Sequence, residues 1–149
     1  GYWIYRSNFL LGRQIRHSGW GRDSVLRFFR KSVARYEDKR VHAEIQLQKT
    51  GVLKARIEHH SVVSVSRWIE KINRYTSWKA ADKFEKGTGA PVVQLFMRPI
   101  LRFFKDFVFR RGFCDGWRGF LIASMSAFAE LLMAAKLTQL HLENRQSSS

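Results

Sequence analysis

The sequence predicts an α/β fold, with short mixed strands and a β-hairpin followed by about three helices. The first thirty residues are rich in aromatic and apolar side chains and are broken by Gly12, Gly19 and Gly21, the composition of short strands and turns. Residues 41–59 alternate apolar and polar side chains, the period of two expected for half-buried strands. After Ser61 the apolar period lengthens to that of a helix.

Residues 2–11 read as a strand with Asn8 near its end, and Gly12 marks a break. A turn over 19–23 leads into a strand over 25–29, and residues 30–40 form a polar, charged connection. Val41, Ala43, Ile45 and Leu47 face one way, while His42, Glu44, Gln46 and Gln48 face the other. Lys49-Thr50-Gly51 reads as a short turn. Leu53, Ala55 and Ile57 then alternate with Lys54, Arg56 and Glu58, which predicts a hairpin over 41–59. Val65, Trp68, Ile69, Ile72 and Tyr75 sit at helical spacing and predict a helix over 64–86, ended by Gly87 and Gly89. Pro91 can open a second helix over 91–111, which Pro99 kinks or restarts. Gly112, Gly116 and Gly119 break the chain again before a last helix over 120–142. There is no internal repeat, and the serines at 147–149 read as a mobile tail. These elements divide the chain into a sheet region, 1–62, and a C-terminal helical region, 63–146.

The chain has 149 residues, enough for one ordinary domain. Hydrophobic residues make up 45%, which excludes a disordered tail. The net charge of +15 narrows the partners to nucleic acid, an anionic membrane surface or a phosphorylated small substrate. The single Cys114 excludes an internal disulfide and a cysteine-based zinc site. No signal peptide is visible, and the start at Gly1 in strand-like sequence reads as part of something longer. The apolar run 119–135 is interrupted by Glu130 and bounded by Lys136, which leaves it short of the roughly 20 residues a membrane span needs. Arg98, Arg102 and Lys105 lie at i, i+4 and i+7, beside Phe103, Phe104 and Phe107. Such a basic stripe with phenylalanines suits a helix lying in the interface of an anionic membrane. The alternative is a buried helix pair of a soluble domain.

Taken singly, the candidate chemical residues are weak. His42 and Glu44 share the polar face of one strand, which fits either a cleft or a solvated face. His59 belongs by alternation with the apolar set. Asp23 stands among basic residues just after Gly19-Trp20-Gly21, and by itself reads as a turn aspartate. There is no Ser-His-Asp pattern, phosphate loop or metal motif of fixed spacing. The basic residues are spread along the chain with no nucleic-acid-binding motif, so no nucleic-acid partner is expected.

An ordered series of stretches carries a resemblance: "GYWIYRSNFLLGRQIRHSGWGRDSVLRFFRK", "VHAEI", "HHSVVSVSRWIEKINRYTSWKAA", "RPILRFFKDFVFRRGFCDGWRGF" and "SAFAELLMAAKL". Together they resemble the C-terminal half of a bacterial family 2 glycosyltransferase of the lipopolysaccharide-core biosynthesis type, over nearly the whole chain. The resemblance implies the C-terminal portion of a GT-A fold. It implies inverting transfer of a sugar from a nucleotide-sugar donor to a glycolipid or core oligosaccharide acceptor. A divalent cation, Mg or Mn, would serve the complete enzyme, and the site of action would be the cytoplasmic face of the bacterial inner membrane. The donor half of that family carries an Asp-x-Asp motif, which this sequence lacks. A non-catalytic basic module binding membrane or nucleic acid is the alternative.

The resemblance also assigns roles. Asp23 falls where the general base is expected, with a structural turn as the rival role. Trp20 is placed to stack on a sugar ring, and Gly19 lets the backbone approach substrate. His42 matches the histidine of the family's Val-His-Glu stretch, a metal ligand or a contact to the diphosphate. Here Ala43 replaces the usual Glu and the acid comes one place later, at Glu44. His59 matches the histidine that opens the family's His-Tyr-Ser segment. Arg27 matches the arginine of its Arg-Leu-Phe strand, where it offsets diphosphate charge or pairs with an acid.

Overall fold

The computed structural model describes residues 1–30, 35–36, 45–46 and 49–147. Strand β1, Tyr2–Leu10, is its centre. Ile4, Asn8 and Leu10 are buried, two or four residues apart, as the pleat of a strand with one covered face requires. One edge of β1 pairs in parallel with β6, Gly51–Val62. The opposite edge is shared by two shorter strands. β3, Ser24–Phe28, lies antiparallel beside residues 2–5, and β2, Arg13–Gln14, folds back on residues 9–10. The strands β4, Arg35–Tyr36, and β5, Ile45–Gln46, form a separate antiparallel pair. The result is a mixed sheet, as the α/β prediction required.

The predicted hairpin over 41–59 is not formed among the described residues. Ile45–Gln46 pairs with β4, and β6 pairs in parallel with β1. Alternation fixes which face of a strand is covered but not which strand lies beside it. The hairpin that does form joins β1 to β2 through Leu11 and Gly12, both at positive φ (46° and 78°), the turn class that matches the twist of paired strands. His42 and Glu44 lie outside the described residues.

Helix α1, Val65–Glu85, starts where Ser64 Oγ accepts the Arg67 backbone N–H at 3.2 Å, an N-cap that serves one of the open donors of the first turn. It ends with Gly87 N–H donating to Phe84 O and Thr88 N–H to Lys83 O, both at 2.9 Å. That bond pair is the Schellman arrangement. Ile72, Thr76 and Ala80 form its buried stripe, whereas Val65 and Ile69 of the predicted apolar face are exposed. Helix α2, Val93–Phe104, runs through Pro99 and widens into a π-helical turn over Lys105–Phe109. A 3₁₀ turn, Gly112–Asp115, leads to α3, Trp117–Ser147.

Gly119 was expected to break the chain and instead lies in the first turn of α3. A Cβ there would sit 1.8 Å from the Gly112 carbonyl oxygen, so glycine is what allows the helix to cross that turn. Ser147 is the last residue of α3, not part of a tail, and residues 148–149 lie outside the described set. By length and composition, α3 is the one helix among the described residues long and apolar enough to cross a membrane.

α3 packs against both α1 and α2. Lys136 ties it to α1, with Nζ donating to Asn73 Oδ1 at 2.6 Å and to the Asn73 carbonyl at 2.7 Å. Leu10, Ile15, Val62 and Ile122 form the core cluster, bordered by Trp20 and Trp68. The end of the sheet and the start of α3 therefore bury one another, and this contact supports the wall of a cavity.

Candidate functional site

A cavity of about 330 Å³ lies between the covered face of the sheet and α1. β1 supplies Arg6 and Asn8, and β6 supplies His59 and Ser61. The turn before β3 supplies Trp20 and Asp23, and α1 adds Trp68, Lys71 and Tyr75. The spacing explains the convergence. Arg6 and Asn8 are two apart, as are His59 and Ser61, so each pair projects from one face of its strand. Trp68, Lys71 and Tyr75 lie three and four apart on one helix face.

Asn8 is the hub of the polar network and is only 2% exposed. Its Nδ2 donates to the Trp20 carbonyl at 2.9 Å and to Asp23 Oδ2 at 3.0 Å. Its Oδ1 lies 3.0 Å from both Ser61 Oγ and His59 Nδ1, and Ser61 Oγ lies 2.6 Å from the same Nδ1. Asn8 Oδ1 can only accept. The Ser61 hydroxyl donates to it, so His59 Nδ1 must carry a proton to avoid facing two lone pairs. In the neutral ring, Nε2 is then the unprotonated nitrogen. Burial holds the His59 pKa below its ordinary value, the Arg6, Lys71 and Arg27 cations push the same way, and Asp23 opposes them.

Asp23 is anchored through one oxygen. Arg6 Nη2 lies 2.6 Å from Asp23 Oδ2, the same atom that accepts from Asn8. The Arg6 backbone N–H also donates to the Asp23 carbonyl at 2.8 Å. Among the described residues Oδ1 has no such partner, so the carboxylate is fixed in place with one oxygen open to accept a further hydrogen bond.

Three of the residues singled out from the sequence, Trp20, Asp23 and His59, thus meet in one cavity. Gly19 and Arg27 do not line it. Gly19, at φ 83°, faces Arg110, whose Nη1 would lie 2.6 Å from an added Cβ. Its missing side chain leaves room for an arginine of the chain itself. Arg27 is exposed on β3 and has no acidic partner among the described residues. The metal reading rests on His42, outside those residues, and among them no group of three or more His, Cys, Asp or Glu could hold a metal ion.

The membrane stripe is rearranged. Arg102 Nε donates to Asp106 Oδ2 at 2.8 Å and Arg110 Nη1 to Oδ1 at 2.9 Å, around a carboxylate only 1% exposed. Arg98 is half-buried and Lys105 exposed, so the three cations are not one free stripe. Phe103 and Phe107 turn inward and meet Phe120, with ring centroids 5.6 and 5.8 Å away. Of the three phenylalanines, only Phe104 faces out, together with Phe96, Met97, Ile100 and Leu101.

Arg6, Asn8, Ser61 and the helix residues Lys71 and Tyr75 line the cavity as well, and no motif in the sequence marks them as site residues. The available signal was at Arg6 and Asn8, a cation and an amide in the middle of an aromatic strand, where such residues are uncommon.

No family model matches the chain, and no solved structure matches it. It is 36% identical over 87 residues to a protein of Rickettsia typhi named as an uncharacterized glycosyltransferase, covering 58% of this chain and 30% of that protein. It is 33% identical over 97 residues to a Rickettsia felis protein of the same description, covering 65% of this chain and 34% of the relative. A Rickettsia bellii protein so named is 34% identical over 85 residues, or 57% of this chain and 29% of its own length. The chain therefore spans about a third of the length of the curated relatives it matches, and that third is similar to part of proteins named as glycosyltransferases.

Proposed function

We propose that this chain is the acceptor-side portion of an inverting family 2 glycosyltransferase with a GT-A fold. The observation that carries the proposal is the convergence of Trp20, Asp23 and His59 on one cavity, in a chain similar to part of proteins named as glycosyltransferases. Asp23 is the general base. As the acceptor hydroxyl oxygen attacks the anomeric carbon of the donor, its proton passes to Asp23 Oδ1, and the bond from that carbon to the nucleoside diphosphate breaks. Arg6 and Asn8 hold the other oxygen, so the base does not have to reorient during the step. Trp20, Trp68 and Tyr75 offer apolar rings for the faces of a sugar, and Lys71 offers a donor.

The acceptor is a glycolipid or a lipopolysaccharide-core oligosaccharide. The nucleotide-sugar and a divalent cation, Mg or Mn, belong to the Asp-x-Asp half of a longer protein. The enzyme works at the cytoplasmic face of the inner membrane, held peripherally by the outer face of α2. This surface is proposed in place of the Arg98, Arg102 and Lys105 stripe.

Calorimetric titration of core oligosaccharide into this chain tests the site. Saturable binding is expected, weakened by Tyr75→Ala and Trp20→Phe and retained in Asp23→Asn. Binding indifferent to Tyr75 and Trp20 would place the acceptor elsewhere.

A further inference from the structure

The turn that carries Trp20 also serves a second concavity. Gly19 and Gly21 line a cleft of about 690 Å³ together with Arg16, Arg22, Arg110 and Arg111. The two acids nearby are already engaged. Asp106 accepts from Arg102 and Arg110. Asp115 accepts the backbone N–H groups of Arg16 and His17 at 3.2 and 2.8 Å and lies 3.3 Å from His17 Nδ1. Among the described residues the guanidinium groups of Arg16, Arg22 and Arg111 have no carboxylate partner. Like charges gathered in one cleft repel one another, so the arrangement is suited to an anion that can meet several of them.

The cleft is held in shape from both sides. Ser18 and Arg111 adopt positive φ, 57° and 56°, conformations that persist only where the surroundings fix them. Ser18 N–H donates to the Arg110 carbonyl at 3.1 Å, which joins the turn to the end of the π-helical segment. Phe109 lines the same cleft and is 80% exposed. A phosphate or diphosphate carries more charge and more acceptor oxygens than a carboxylate, so it can be gripped by several guanidinium groups at once.

We propose that this cleft binds a phosphate or diphosphate group through Arg16, Arg22 and Arg111. The site stands independently of the transferase proposal, because it requires neither Asp23 nor a sugar. The exposed Phe109 at its edge is suited to a phosphate carried on a lipid, and a soluble diphosphate offers the same oxygens.

The test is calorimetric titration of pyrophosphate into this chain at physiological ionic strength. Three variants accompany it: Arg16→Gln with Arg22→Gln, Arg111→Asn, and the charge-matched control Lys54→Gln with Lys79→Gln. Asn is chosen at 111 because it tolerates positive φ, and circular dichroism checks each fold. Saturable binding is expected, weakened roughly tenfold for each arginine removed and little changed in the control. In a second arm, vesicles of phosphatidylcholine with phosphatidic acid compete with pyrophosphate. Displacement assigns the phosphate to a lipid, and failure to displace assigns it to a soluble diphosphate. Absence of saturable binding overturns the proposal, as does equal weakening in the lysine control or unchanged affinity in the folded arginine variants.

Discussion

Beneath β1, Arg6, Asn8 and Asp23 sit on the covered side of the sheet and each is met by a partner. Along α2 the reverse holds, since Phe96, Ile100, Leu101 and Phe104 expose 65, 51, 61 and 51% of their surfaces. The polar groups inside are positioned one by one, by bonds of defined length. The apolar groups outside share only a helix face. The difference separates two kinds of function. A cavity with a fixed carboxylate is suited to chemistry at one atom, whereas a continuous apolar face is suited to an extended, non-directional partner.

The sharpest contrast comes from truncating one apolar side chain in each region. Leu10 is fully buried at the end of β1, and Leu10→Ala should destabilise the fold by about 2–5 kcal/mol. Ile100→Ala, on the outer face of α2, should stay within about 0.5 kcal/mol. Urea unfolding measures both. Equal costs would mean that α2 is covered in the free protein.

Polar replacement of the outer face should act on membrane binding and leave the fold intact. Phe96→Ser, Ile100→Ser and Phe104→Ser together are expected to weaken co-sedimentation with anionic liposomes roughly a hundredfold, for three partly inserted side chains. Reversing Arg102 would be a poor substitute, because it would remove one of the two partners of the buried Asp106 carboxylate and set a second acid beside it. Unchanged sedimentation of the folded triple variant would assign the face to protein or water.

Within the cavity, Arg6→Met should cost about 1–3 kcal/mol, because it leaves a half-buried carboxylate with a lost partner. Adding Asp23→Asn should recover part of that loss in a double-mutant cycle. Additive costs would show that the 2.6 Å pair is not coupled.

The smallest effect is the pH dependence at His59. Its folded pKa lies below the ordinary 6.5 because of burial and the neighbouring cations. Below 6.5 the unfolded chain therefore binds a proton that the folded chain resists. The stabilisation from neutral His59 is complete above that pH and is lost as pH falls through the lowered value. His59→Gln should flatten this part of the stability profile, and an unchanged slope would place the titration elsewhere.

The sequence made some of this legible and concealed the rest for physical reasons. The period change after Ser61 and the glycines at 87 and 89 located α1 to within a residue at each end, because these signals are local. The partner of β6 was not legible. Alternation records which side of a strand is covered, and parallel pairing with β1 depends on residues about fifty positions away. Trp20, Asp23 and His59 were found through resemblance, whereas Asn8 was passed over as a strand-end residue although it holds the network together. On α2 the cations were visible but their partners were not. Asp106 draws Arg102 inward, and Phe103 turns toward Phe120, so the outward face is set by packing with α3 and not by the stripe alone.

The central claim is that Asp23 takes a proton from the acceptor. It is tested most directly by kcat of Asp23→Asn in a longer protein that contains this chain together with the proposed Asp-x-Asp half, alongside donor affinity. The expected result is a fall of about 10² to 10⁴ in kcat, the usual cost of losing a general base, with donor binding unchanged, as the proposed role on the acceptor hydroxyl requires. A near-normal kcat would contradict it and reduce Asp23 to a structural acid of the turn, held by Arg6 and Asn8.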